Sequence, residues 1–426
     1  MDAFIGLGGM LLLMALGAPI FVALGATAMI MIAIEGRPLM DAAAHTVSGL
    51  NSPTFVAVPF FVLAATFMQK GGIARIIIDA AETWVGHFKG GLGLVAVIAT
   101  TLFAAISGSS VVTAMAMGTF LIPAMVARNY DRPFALGLVG ASGTMGILIP
   151  PSLSMILYGL IAEESVPRLF IAGVVPGLIQ AMLLAAWVMF YSRRKGYASG
   201  VRATREEFIR KNLKAIPAVA IPLFVFVGIY SGYTTVTESA GVAAVASMLV
   251  AVFVYREVSL KDVFAMTAEG MKAASAVSFI VMFALLFAHW ITGSGVPTKL
   301  VEFAIGQDLK PWQFLLALNI VMLVLGMFLE AVAIILITTP IVLPVLLALD
   351  VDLIWYGILL VVNLELAMLT PPVGLNLFVL KATTRAPLST IIRGAFPYIV
   401  VLVMFLALMF VVPDLATWLP RRAGYG

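Results

Sequence analysis

Four short strings hold the residue types that could bind an ion or a polar solute inside an otherwise apolar chain. Two are rich in small and polar groups, Ile106-Ser107-Gly108-Ser109-Ser110 and Leu329-Glu330-Ala331. Two are broken by proline, Gly146-Ile147-Leu148-Ile149-Pro150-Pro151-Ser152 and Thr370-Pro371-Pro372-Val373-Gly374-Leu375-Asn376. Proline removes an amide donor and frees upstream carbonyls. At membrane depth such breaks persist where a cavity or an ion satisfies the backbone. Free carbonyls and hydroxyls suit a hard cation such as sodium, and half-helix N-termini at the same depth suit a carboxylate.

Plainer roles compete for each of these residues. Glycine and proline let membrane helices pack closely, and Ser109, Ser110 and Thr113 could return hydrogen bonds to their own helix. A carboxylate at the bilayer centre costs on the order of 3 kcal/mol unless paired, so Glu330 either helps hold a cation or caps the helix that follows it. Asn363 is expected to face the site, and Glu365 to line a cavity or pair locally. His289 reads as an interior histidine, and the methionines as adaptable packing. The string Gly140-Ala141-Ser142-Gly143 has the form of a rhomboid-like intramembrane protease motif with His289 as base, but it is short in a chain rich in glycine and serine.

The elements that position these strings must lie in lipid. Of 426 residues, 62% are hydrophobic and 11% charged, far from a soluble domain. A hydrocarbon core of roughly 30 Å needs about 20 apolar residues per span, and the chain has room for some ten spans. The absence of cysteine excludes disulfides, thiolate metal sites and cysteine nucleophiles. His45, His87 and His289 lack ligand spacing, so no cofactor is expected. A net charge of +4 is explained by membrane orientation, and no nucleic-acid partner is expected.

The basic run from Arg193 to Lys214 is assigned to the cytoplasm. Spans near 134–161, 172–191, 215–231, 239–255, 275–292, 354–380 and 394–412 then leave all but six of the 25 basic residues inside, the six being Arg37, Arg168, Lys299, Lys310, Arg421 and Arg422. Residues 1–34 break at Gly17-Ala18-Pro19, and 72–88 reads as an amphipathic arm in the interface.

The apolar stretches 92–126 and 313–348 begin and end on one side, so each reads as a re-entrant hairpin, split near Ser107 to Ser110 and near Glu330. Half-helices of about 15 residues, or about 22 Å, are too short to cross. A shift of 221 positions places Pro123 on Pro344, Pro150-Pro151 on Pro371-Pro372 and Ser109 on Glu330. The fold class is therefore all-α integral membrane, an inverted-repeat secondary transporter with two re-entrant hairpins and two proline-broken helices. It comprises an N-terminal half (1–191), a basic cytoplasmic connector (192–214) and a C-terminal half (215–426).

The strings Ile106 to Ser110, Ile149 to Ser152 with Met155 to Gly159, Gly228 to Gly232 with Thr237-Glu238, and Val361 to Leu364 with Leu369 to Phe378 together resemble the large membrane subunit of tripartite ATP-independent periplasmic (TRAP) transporters. The likeness covers nearly the whole chain. It implies a sodium-coupled importer of organic acids such as C4-dicarboxylates or sialic acid, in the bacterial inner membrane, working by an elevator motion and not as an enzyme. A periplasmic substrate-binding protein would deliver the carboxylate, and a small four-helix membrane subunit, expected as a separate chain, would brace the large one in the bilayer. Carried over to this sequence, sodium sites fall on Ser107, Gly108 and Ser109 facing Gly146 and Pro150, and on Glu330 facing Thr370 and Gly374. Substrate contacts are expected from Ser109, Ser110, Ser142, Asn363 and Asn376. The nearest alternative is a stand-alone sodium–anion transporter of the same architecture.

Overall fold

The computed structural model describes residues 2–424. Twenty α-helices form among them, and a lone bridge between Lys89 and Ser199 is the sole extended pairing described. The N-terminal segment breaks at Gly17, φ +86, into α1 (Asp2–Ala15) and α2 (Ile20–Ile34). Next come α3 (Leu39–Leu50) and α4 (Pro53–Lys70); the Ser52 hydroxyl accepts the Phe55 amide at 3.2 Å and Pro53 opens the helix. The arm α5 (Ile73–Val85) buries Ile73, Ile76, Ile77, Ala80 and Ala81 and exposes Arg75 and Trp84, the striping of an amphipathic helix.

The first hairpin is α6 (Gly91–Ser107) and α7 (Ser110–Ala127). α8 (Arg132–Thr144) ends in a 3-10 turn at Met145–Ile147, and the chain resumes helix at α9 (Leu153–Ala162) after Pro150-Pro151. α10 (Val166–Lys195) and α11 (Arg205–Tyr230) extend well into the basic stretch, leaving 196–204 as the irregular link. α12 (Val236–Leu249) starts with a capping box between Thr235 and Glu238 and runs on as a π turn to Val254. α13 (Leu260–Gly293) is one continuous helix of 34 residues, longer than the expected 275–292 span.

The second half continues with α14 (Val296–Gly306), the hairpin α15 (Pro311–Gly326) and α16 (Ala331–Ala348), the broken pair α17 (Leu353–Leu369) and α18 (Leu375–Thr384), then α19 (Leu388–Val411) and α20 (Asp414–Arg422). Each hairpin breaks where the sequence indicated. Their arms are longer than expected: α7 and α16 have 18 residues each, about 27 Å of helix, and length alone would let them cross.

The 221-residue offset is carried by the backbone. α7 begins at Ser110 and ends at Ala127, α16 begins at Ala331 and ends at Ala348, and α8 and α17 begin at Arg132 and Leu353. Both Pro-Pro bonds are cis. α14 stands at the offset position of α5, a second arm that the sequence reading missed.

Two packed groups result. α2, α4, α12 and α13 lie against one another with α3 and α11 beside them, while α7, α8, α18 and α19 form the other group with α15 and α17. Elements of both halves enter each group. α17 is buried from Tyr356 to Leu369, whereas Phe190, Phe224, Phe253 and Phe396 are exposed on the periphery, where apolar surface faces acyl chains. Eight of the described helices are long and apolar enough to span a bilayer.

Candidate functional site

The hairpin tips meet the broken helices backbone to backbone. The Leu153 amide, at the start of α9, donates to the Gly108 carbonyl at 3.3 Å, and the Gly374 amide, ahead of α18, donates to the Met327 carbonyl at 3.0 Å. Leu153 and Gly374 are again 221 residues apart. The first contact is tight enough to specify glycine twice. Gly108 turns at φ +60, and a Cβ there would sit 2.8 Å from the Pro151 carbonyl oxygen; a Cβ on Gly146 would sit 2.5 Å from that of Ser109.

The Ser109 carbonyl is the polar hub of the first tip. It accepts from the Thr113 hydroxyl at 2.7 Å and from the Ser107 hydroxyl at 3.3 Å, and those two hydroxyls are 2.5 Å apart. Ser152 closes the break by donating to the Ile147 carbonyl at 2.6 Å and capping α9.

A cavity of about 250 Å³ lies between the two packed groups. Its walls are Phe61, Thr66 and Gln69 of α4, Glu269 and Val277 of α13, the tip residues Ser107, Gly108 and Ser109 with Pro151, and Glu330 from the second hairpin. A smaller cavity is lined by Ser109, Ser110, Ile147, Leu153, Ser154, Glu330 and Met368. Both tips therefore reach one place. Glu330 takes the N-cap backbone position of α16 without making a capping hydrogen bond, and its carboxylate is open to the cavity with no ion pair or hydrogen bond among the described residues. Glu269, across the cavity, is paired with Lys70.

Asn376 is buried and ties three helices together, donating to the Ser110 hydroxyl at 2.8 Å and toward the Gly140 carbonyl at 3.4 Å. Thr370 donates to its own helix at Leu366, 2.6 Å. Ser142 does the same to Leu138 at 2.8 Å, and Asn363 is spent on the Asn319 backbone and side-chain oxygens at 2.8 and 2.7 Å. Neither lines the two cavities. His289 lies by Arg37 and His45, its ring centroid 5.1 Å from that of His45. Thr66, Gln69, Glu269 and Ser154 were missed by sequence reasoning, because they enter through packing between distant helices and carry no local signal.

The chain matches the family model of the tripartite ATP-independent periplasmic transporter DctM component over residues 7–415. The chain belongs to the DctM family. Among similar proteins, the C4-dicarboxylate TRAP transporter large permease DctM of Pseudomonas aeruginosa is 43% identical over 371 residues, 87% of each chain. The large permease DctM of Rhodobacter capsulatus is 35% identical over the full length of both, and the sialic acid TRAP transporter large permease SiaM of Vibrio cholerae is 33% identical over 90% of each. The fold is also similar to that of the Alcanivorax borkumensis YdaH transporter, with a TM-score of 0.63 over 88% of both chains at 14% identity. This DctM chain is thus a multi-pass large permease component of a TRAP transporter.

Proposed function

We propose that this DctM chain carries organic acids inward across the bacterial inner membrane in symport with sodium, receives them from a periplasmic binding protein, and performs no catalysis of its own. The reading rests on one observation: Ser109 and Glu330 line the same cavities, the carboxylate unpaired. An unpaired carboxylate beside hydroxyls and turn carbonyls is a donor set for a small hard cation. Sodium ligands are then drawn from the Ser107–Ser109 tip with the Gly146 to Pro150 break, and from Glu330 with the Thr370 to Gly374 break. Relatives named for C4-dicarboxylates and sialic acid support an anionic substrate, and a bound cation would offset its charge beside Glu330.

The halves 1–191 and 215–426, joined by 192–214, act as the inverted repeats. The group built on α2, α4, α12 and α13, braced by a small four-helix subunit, is the scaffold. The hairpins and broken helices move against it as an elevator. Uptake of labelled organic acids into proteoliposomes holding this chain and its small partner tests the reading. Uptake that needs both a sodium gradient and the binding protein supports it; uptake without the binding protein favours the stand-alone anion transporter.

A further inference from the structure

A separate cavity of about 340 Å³ opens between the start of α8, the cytoplasmic end of α10 and the start of α19. Its lining combines exposed guanidiniums with buried aromatic donors. Arg393 forms no ion pair or hydrogen bond among the described residues, and Arg132 donates only to the Thr384 carbonyl at 3.1 Å. The one carboxylate on the rim, Asp131, is already paired with Lys195 at 2.9 Å and accepts a hydrogen bond from the Tyr191 hydroxyl at 3.2 Å. The lining therefore holds two uncompensated positive charges. Deeper in, Tyr398 is 1% exposed and its hydroxyl has no hydrogen-bond partner.

Position along the membrane selects the ligand. Arg193, Arg194 and Lys195 follow directly on the same helix as Trp187 and Tyr191, which puts the cavity at the level of the cytoplasmic headgroups, where basic and aromatic side chains concentrate. Beyond it, Phe396, Val400 and Val403 on α19 and Phe190 on α10 expose apolar surface. A free anion would use the arginines and leave that apolar track unused. We propose that this cavity is a binding site for an anionic phospholipid, its phosphate held by Arg132 and Arg393 and its acyl chains lying along α19.

Native mass spectrometry of the delipidated complex tests this, titrating phosphatidylglycerol, phosphatidylcholine and inorganic phosphate in turn. Arg393→Gln removes a side chain that no protein group depends on, so folding should be retained; Lys261→Gln, on α13, controls for loss of one charge. The expected result is preferential retention of phosphatidylglycerol, weakened roughly fivefold by Arg393→Gln and unchanged by Lys261→Gln. Equal binding of the two lipids, an unaltered affinity in Arg393→Gln, or displacement of phosphatidylglycerol by inorganic phosphate at comparable concentration would each overturn the assignment.

Discussion

Ser109 and Glu330 occupy equivalent positions of two hairpins, 221 residues apart, and line the same two cavities. Each sits at the N-cap of its second half-helix, and neither side chain makes a capping hydrogen bond. The polar atoms that a cap would ordinarily use are left facing the space between the tips. That arrangement leaves two helix N-termini, a hydroxyl and a carboxylate at one depth.

Replacing either side chain should therefore weaken the ion and spare the fold. Ser109→Ala and Glu330→Gln are each expected to raise the sodium concentration for half-maximal uptake on the order of tenfold. Sodium titration of uptake in proteoliposomes checks this, with expression and gel-filtration profiles near wild type.

The close approach of Gly146 to the first tip predicts a steric effect. A Cβ 2.5 Å from the Ser109 carbonyl oxygen cannot be accommodated without parting tip and break. Gly146→Ala should lose most uptake activity. Gly241→Ala on α12, where a Cβ meets nothing within 4 Å, should retain it and gain slightly in melting temperature.

Asn376 binds α18 to α7 and α8 from a fully buried position. Asn376→Ala leaves the Ser110 hydroxyl and the Gly140 carbonyl without that donor, an expected cost of about 1–3 kcal/mol. A thermal melt of the purified complex reads it; the same loss is not expected for Thr383→Ala, whose partly buried hydroxyl serves only its own helix.

At the basic end of α10, Lys195 holds the Asp131 carboxyl below the usual carboxylate range, chiefly through their hydrogen bond. A depressed carboxylate adds stability above its unfolded-state value, about 3.9, and that stability is lost as pH falls through the lower folded value. Lys195→Met should thus melt slightly below wild type at neutral pH. The gap should close as the pH drops below about 4, which paired melts across the range would reveal.

The sequence made the hairpin splits, the two breaks and the offset legible, because glycine, proline and polar residues are rare punctuation in a chain that is 62% hydrophobic. The arm α14 was readable in principle, since it lies 221 residues after α5, but at 11 residues it is too short to stand out as a membrane span. Side-chain engagement was not readable. Ser142 and Asn363 look like site residues by type, yet Ser142 bonds back within α8 and Asn363 reaches Asn319 on the second hairpin. Glu269 and Lys70 pair across 199 residues, a contact set by the packing of α4 against α13 with no local pattern to announce it.

Sodium binding at the Ser109 and Glu330 tips is tested most directly by the melting temperature of the purified complex as sodium replaces choline at constant ionic strength, in wild type, Ser109→Ala and Glu330→Gln. A ligand that binds only the folded state raises stability with the logarithm of its concentration once above its dissociation constant. Sodium should stabilise wild type and lose that effect in large part in both variants, while sodium stabilisation of equal size in all three proteins would contradict a shared site at Ser109 and Glu330.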